Sequence, residues 1–296
     1  MKTAVITGAS SGIGLVVARE LARDGWRVIA QGRNPARSEA ALTQIRAAVP
    51  DAQVEMLLAD LSEMARVAEF ADKVSEMTGR IDLLVNNAGF TPARRVETAD
   101  GLEQCFATNH LAPFLLTDRL LPLLRAAGRG AQIINTASVA HKFIKDMMWD
   151  DLQQTRKFSA GDAYTQSKLA NILHMRELAR RTGPDNILVN AVHPGLVQTN
   201  FDSHGNIVVK LMYILSRPFS LTPEQGADTI LWLARGGAPD ATGQYFARRK
   251  TASLTPAAQS DAGAARLWRI SEELLAGIQD QARRRGCGTS GRPDEA

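Results

Sequence analysis

The sequence predicts a doubly wound, mostly parallel α/β sheet in a single domain with helices on both faces. Three observations predict it. Short apolar runs alternate with stretches of helical period along the chain. A glycine-rich turn stands at the first junction between such a run and such a stretch. The 296 residues, 45% of them hydrophobic, suffice for one large core, and the scarcity of aromatics (5%) suits helices packed closely on a sheet.

The elements follow in order. Ala4-Val5-Ile6 reads as a strand, followed by a helix through Val17, Leu21 and Ala22. Arg27-Val28-Ile29-Ala30 precedes a helix around Ala40, Ile45 and Val49. Val54 to Leu58 precedes a helix that Ser62 is placed to cap. Asp82 to Val85 begins the second half, and further strands fit Gln132 to Asn135, Leu188 to Val192 and Gly243 to Phe246. Strands alternating with helices imply βαβ units, and right-handed crossovers then place a ligand crevice at the C-terminal ends of the strands. One domain is expected over residues 1–285. The stretch 286–296 is rich in Gly, Pro, Ser and charge and is expected to be disordered.

Composition excludes several classes. Cys105 and Cys287 make neither a disulfide framework nor a metal spacing, so no metal is expected and a reducing, cytoplasmic setting is the default. There is no 18-residue apolar run, hence no expected transmembrane helix, and the chain enters its first strand too early for a signal peptide. Net charge is +4, partly from Arg283, Arg284 and Arg285, with no basic stripe interleaved by aromatics, so no nucleic-acid partner is expected.

Thr7-Gly8-Ala9-Ser10-Ser11-Gly12-Ile13-Gly14 occupies the first strand–helix junction. Glycines there allow a tight turn and let backbone N–H groups approach a pyrophosphate at a helix N-terminus, the Rossmann-like arrangement. The second strand ends Gln31-Gly32-Arg33-Asn34, without the carboxylate that holds the ribose hydroxyls of NAD. A guanidinium at Arg33 would instead pair with a 2′-phosphate, and Ser10 or Ser11 would add a hydroxyl donor, which favours NADP(H). The competing reading of Arg33 is a surface residue in a turn.

Tyr164 and Lys168 lie four residues apart, on one face of a helix. A tyrosine titrating near ~10 is a poor acid or base at neutral pH, and a neighbouring ammonium favours its phenolate. Ser138 follows a strand near its C-terminal end, where its hydroxyl would bond a substrate oxygen.

These residues carry a pattern. Thr7-Gly-x-x-x-Gly-x-Gly14, Asp60-Leu61, Asn86-Asn87-Ala88-Gly89, Asn109, Ser138, Tyr164-x-x-x-Lys168 and Pro194-Gly195 occur in that order. The chain resembles the short-chain dehydrogenase/reductase family over about residues 2 to 250, and within it the retinol dehydrogenase-like branch. The branch resemblance rests on Asn109 to Thr117, Ser138-Val139-Ala140-His141, Asp150-Asp151-Leu152 and Ala163 to Asn171. Ser138 precedes Tyr164 by 26 positions, wider than is usual in the family, and the branch carries the same insertion.

The resemblance implies a hydride-transferring oxidoreductase. Tyr164 is the acid/base, and Lys168 biases it and holds the nicotinamide ribose. Ser138 orients the substrate oxygen, and Asn109 positions Lys168 through a water. Asp60 would accept from the adenine amino group, with a helix N-cap as its competing role, and Leu61 would present backbone. Asn87, Ala88 and Gly89 would face the adenine-side ribose and brace the sheet. Pro194 and Gly195 would turn the chain beside the cofactor, with Val197 meeting the carboxamide through backbone and Thr199 through its hydroxyl. Tyr164 already fills the base role, so His193, His141 and His174 are read as structural, and Cys105 as a small core residue.

Residues 199–221 form the substrate side. Ile207, Val208, Leu211, Met212, Ile214 and Leu215 make an apolar helical stripe, read as a lid, a dimer contact or a membrane-surface helix. Met147, Met148 and Trp149 in the insertion are expected to line the same apolar pocket. The substrate expected is a small apolar carbonyl or alcohol of bulky shape, retinoid-, steroid- or aryl-ketone-like, and the chain is expected to form a homodimer or tetramer. The alternatives are a catalytically silent NADP(H)-sensing protein, against which the intact set of Asn109, Ser138, Tyr164 and Lys168 argues, and a reductase of carbon–carbon double bonds. An epimerase or dehydratase of the longer related family disagrees with the glycine spacing.

Overall fold

The strands alternate between two cores. Val5, Ile29, Leu84, Ile133 and Val189 face one side of the sheet, while Ala4, Ile6, Val28, Val85, Ile134 and Val192 face the other. Successive side chains of a strand point to opposite faces, so a sheet covered on both sides needs apolar residues at every position. The structure is a computed structural model. It describes residues 1–197 and 220–287, with residues 281–287 as backbone alone.

Eight strands form one sheet among the described residues: β1 (Thr3–Ile6), β2 (Arg27–Gly32), β3 (Val54–Leu58), β4 (Leu83–Asn86), β5 (Gln132–Thr136), β6 (Leu188–His193), β7 (Gln244–Ala247) and β8 (Lys250–Thr251). Their order is β3-β2-β1-β4-β5-β6-β7-β8. All neighbours are parallel except β7 and β8. The chain runs outward through β2 and β3, then returns to β4 beside β1. This reversal opens the crevice in which such sheets bind ligands.

Among the described residues the α-helices are α1 (Gly12–Arg23), α2 (Pro35–Ala48), α3 (Met64–Met77), α4 (Gln104–Phe106), α5 (Ala112–Ala127), α6 (Ala160–Thr182), α7 (Pro223–Ala234) and α8 (Asp261–Cys287). α1 and α7 cover one face, and α3, α5, α6 and α8 the other. α2 starts with Pro35 behind Asn34, whose side chain accepts from the Arg37 N–H. α7 starts with a reciprocal capping box between Thr222 and Gln225.

One expectation needs correction. Ser62 does not cap α3. The residue before that helix is Glu63, which makes no side-chain cap, and the Met64 N–H donates instead to Asp100 at 2.8 Å. A cap supplied from 36 residues away leaves no local signal. The two-residue antiparallel β8 is too short to show a period of its own. Its turn places Arg248 and Arg249 at φ of 51° and 59°, a conformation that favours glycine. The last helix runs to Cys287. Residues 288–296 lie outside the described residues.

Candidate active site

The glycine turn has the geometry of a phosphate cradle. Gly8 and Gly12 adopt φ of 67° and 57°. A Cβ on Gly14 would stand 2.4 Å from the Gly8 carbonyl oxygen and 2.6 Å from Asn87 Nδ2, so only glycine fits there. Ser11 precedes α1 without making a side-chain cap, and the first turn of α1 holds no acid. The N–H groups at this helix end thus remain available to an anion, and the helix dipole favours one. The cradle fits a dinucleotide pyrophosphate.

The turn is held from both sides. Gln31, buried near the end of β2, accepts from Gly8 N (2.9 Å) and donates to the Ala59 carbonyl (2.6 Å). Thr7 Oγ1 accepts from both Asn87 N and Ala88 N at 3.0 Å, and Asn87 Nδ2 donates to the Thr7 carbonyl at 3.0 Å. Asn87 therefore braces β1 against β4. Sequence reasoning missed Gln31, although a polar residue inside an otherwise apolar strand is a readable signal.

Beyond β2, the Arg33 guanidinium lies 3.8 Å from Asp60, with 59% of its side chain exposed. Asp60 Oδ1 also accepts from Ser62 N (2.9 Å) and Ser62 Oγ (2.8 Å). Asp60 thus shapes its own turn and faces Arg33, and Leu61 is buried beneath it. Ser10 stands close by, its Cβ 3.1 Å from where a Cβ on Gly32 would be.

The second group of residues surrounds α6. Lys168 is buried, and its Nζ donates to the Thr136 carbonyl (3.0 Å) and lies 5.6 Å from the centre of the Tyr164 ring. Burial lowers its pKa to about 8. Asn109 is also buried, in a widened helical turn of the π type (Ala107–Leu111) rather than in regular helix. Its Nδ2 donates to the Phe90 carbonyl (3.0 Å) and to Ser167 Oγ (3.0 Å), and its Oδ1 accepts from Phe90 N (3.0 Å). Ser167 in turn donates to the Tyr164 carbonyl at 2.8 Å. A Cβ on Gly89 would lie 3.1 Å from Asn109 Oδ1 and 3.5 Å from Lys168 Nζ. Gly89, Asn109, Tyr164 and Lys168 are thus brought together.

Ser138 follows β5 and caps the 3₁₀ turn Val139–Phe143, its Oγ accepting from Ala140 N at 3.1 Å. With that lone pair engaged, the hydroxyl proton is free to donate to another oxygen. Pro194 and Gly195 follow β6, with Gly195 at φ 90°. Leu221 N donates to the Leu196 carbonyl at 2.7 Å, and Leu221 pairs with Val197. Val197 and Leu221 therefore lie side by side, with Leu221 against Gly195. Thr199 and the apolar stripe 207–215 lie outside the described residues.

Two supports come from far along the chain. The C-terminal helix α8 touches the Asn109 turn, Ser271 Oγ lying 2.9 Å from His110 Nε2. Trp268 packs on Phe114 (4.7 Å) under Arg181 (4.2 Å). Gln166, between Tyr164 and Lys168, accepts from Met148 N (2.8 Å) and donates to the Leu152 carbonyl (2.9 Å), tying the insertion to α6. Within the insertion, Met147 is buried in the core, and Trp149 lies under Arg266 of α8 at 4.5 Å. Trp149 thus packs the insertion onto α8. His174 is buried and held neutral, with a pKa lowered to about 4 by burial. Burial likewise pushes the buried Cys105 thiol up, so it is inert core.

A doubly wound sheet with a glycine cradle at its first turn and a buried lysine one helical turn from a half-buried tyrosine defines the class of nicotinamide-dependent oxidoreductases. The chain belongs to the short-chain dehydrogenase family: the family model described as short chain dehydrogenase matches residues 2–206. It is 38% identical to human retinol dehydrogenase 12 over 275 residues, covering 93% of this chain and 86% of that one. A solved structure from Mycobacterium paratuberculosis superposes with a TM-score of 0.74 at 32% identity, covering 93% of both chains. An active-site complex of Pseudomonas aeruginosa RhlG with NADP superposes with a TM-score of 0.68 at 27% identity, covering 83% of this chain and 94% of that one. The protein is thus an oxidoreductase acting on alcohols or carbonyls. Among the described residues no helix is long and apolar enough to cross a membrane.

Proposed function

We propose that this chain is an NADP(H)-dependent oxidoreductase for a bulky apolar ketone, aldehyde or secondary alcohol, with Tyr164 as its general acid/base. The observation that carries the reading is the buried Lys168 ammonium beside the Tyr164 ring, 5.6 Å from its centre. A bound nicotinamide dinucleotide supplies the hydride donor or acceptor. The chain's own residues do the rest. In reduction, Tyr164 gives its phenolic proton to the substrate oxygen, and in oxidation it takes that proton back. Ser138 donates its hydroxyl proton to the same oxygen as a hydrogen bond and holds it in line. Lys168, charged below about 8, favours the phenolate when the proton has left. Asn109 fixes the segment at Phe90 and the Ser167 hydroxyl beneath Tyr164.

Gly8, Ser10, Ser11, Gly12, Ile13 and Gly14 would hold the pyrophosphate, and Asp60 and Leu61 the adenine side. Ala88 and Gly89 would border the ribose, with Pro194, Gly195 and Val197 at the nicotinamide end. Arg33 supports the choice of NADP(H), as an exposed guanidinium at the end of β2 where NAD sites carry an acid. The RhlG complex, whose fold this chain shares, contains NADP. Exposed Val139 (39%), Phe143 (79%) and Leu196 (52%) flank Ser138 and Gly195 and favour an apolar substrate.

Oxidation of NADPH and of NADH is to be followed across a panel of aldehydes, bulky ketones and steroids. The expected result is turnover with NADPH, with the bulky apolar members preferred. A preference for NADH removes the cofactor reading, and turnover confined to small polar carbonyls removes the substrate reading.

A further inference from the structure

Behind Ser138 stands a pair of buried titratable side chains that the proposed mechanism does not use. His141 is fully buried in the turn that Ser138 caps. Its Nδ1 lies 2.7 Å from the Ser138 carbonyl oxygen, and its backbone N–H donates to the same oxygen at 3.3 Å. A carbonyl only accepts, so Nδ1 carries the proton and Nε2 is the lone-pair nitrogen of the neutral ring. That Nε2 is buried with no hydrogen-bond partner among the described residues. The ring stands edge-on to Tyr245, with centres 5.2 Å apart at 84°. Tyr245 is buried on β7, and burial together with the neighbouring Tyr164 phenol holds its hydroxyl protonated. The other charged or titratable groups facing His141 are Lys142 and His193. Burial and Lys142 oppose protonation of the imidazole, and the bond to Ser138 opposes them in part.

We propose that His141 is a positioning residue: it pins the Ser138 carbonyl with Nδ1 from a ring seated against Tyr245, and through that bond fixes where the Ser138 hydroxyl points relative to Tyr164. The proposal rests on the reading of Ser138 and Tyr164 as the pair that handles the substrate oxygen. The arrangement has a functional consequence. A side chain that only filled the core would need neither the short bond to Ser138 nor contact with the tyrosine beside the acid/base. Releasing this bond loosens the substrate half of the site alone, because the cofactor cradle hangs on Thr7, Gln31 and Asn87.

Two substitutions separate donor from ring. His141→Phe keeps a ring against Tyr245 and removes the donor. His141→Asn removes the ring and places a carboxamide nitrogen near the position of Nδ1. For His141→Phe the expected result is a fall in kcat of about tenfold or more, with NADPH Kd within about twofold of wild type. For His141→Asn, most of that loss is expected to be recovered. Three results overturn the proposal: an undiminished kcat in His141→Phe, a loss of NADPH affinity matching the loss of kcat, or a folded His141→Asn no better than His141→Phe. Should His141→Phe fail to fold, His141→Asn decides alone: native melting and NADPH affinity with kcat near wild type support the proposal, and the same with kcat lost overturns it. Tyr164→Phe is measured alongside. Turnover in that variant sinks the acid/base reading itself, whereas a dead Tyr164→Phe with an undiminished His141→Phe sinks only the role of His141. A wild type that turns over no carbonyl overturns both.

Discussion

The two halves of the site are built from different materials. The half around β1, α1 and β2 is made of backbone: glycine dihedrals, a helix end with no side-chain cap, and a turn held by Thr7, Gln31 and Asn87. The half around α5, α6 and β5 is made of buried polar side chains. Asn109 and Lys168 spend their hydrogen bonds on partners distant in sequence, while Ser167 links Asn109 to the Tyr164 carbonyl and His141 holds the Ser138 carbonyl. A backbone site tolerates most side-chain changes but no added Cβ where atoms already touch. A side-chain site depends on every element that supports it, α8 included.

Gly14→Ala attacks the first half most directly. Its Cβ would meet the Gly8 carbonyl oxygen at 2.4 Å, and α1 has to move. Overpacking of this kind costs about 1–3 kcal/mol. NADPH affinity measured by fluorescence titration is expected to fall about a hundredfold. Gly79→Ala, where nothing lies within 4 Å, is the control and is expected to change neither affinity nor melting temperature.

Acid should divide the halves the other way. All five histidines lie between residues 110 and 204. His174 and His193 are held neutral at about 4 and His110 well below its usual value, in each case first by burial. A depressed folded-state value means that the unfolded chain binds more protons in the window. Stability is therefore fully present above about 6.5 and is lost as pH falls toward 4, by about 3 kcal/mol for the fully buried His174. Hydrogen exchange at pH 5 against pH 7.5 should show the loss first in α5, α6 and α8. Uniform loosening across β1–β3 would blur the division.

A smaller effect tests the cofactor end. Arg33→Asp should shift the ratio of kcat/KM for NADPH over NADH by about tenfold toward NADH, or ~1.4 kcal/mol. The guanidinium is exposed and already shares Asp60, so a larger change is not expected. An unchanged ratio removes Arg33 from recognition of the 2′-phosphate.

The same contrast explains what could be read from the sequence. The seven parallel strands were legible as apolar runs because both faces of the sheet are covered. Gly8, Gly12 and Gly14 were legible because a backbone site leaves glycine behind. The side-chain half was legible only in part. Tyr164 and Lys168 showed as an i,i+4 pair, yet Thr136, which holds Lys168, and Phe90, which holds Asn109, carry no mark in the chain. The widened turn at Asn109 leaves no period of its own, and its support from Ser271 comes from 161 residues away. Trp149 is legible by chemistry as a large apolar side chain, but its stacking under Arg266 of α8 leaves no signal in the chain. His141 looked like core, and its burial alone does not distinguish core from support of a neighbour.

The most direct test of the proposed chemistry is Tyr164→Phe. This change removes one hydroxyl and leaves Lys168, Thr136 and the glycine cradle in place. kcat is to be measured with NADPH and the best carbonyl of the panel, and NADPH Kd by fluorescence titration on the same preparation. The expected result is a fall in kcat of about a hundredfold or more, with Kd within about twofold of wild type. A variant that keeps wild-type turnover would contradict the assignment of Tyr164 as the acid/base.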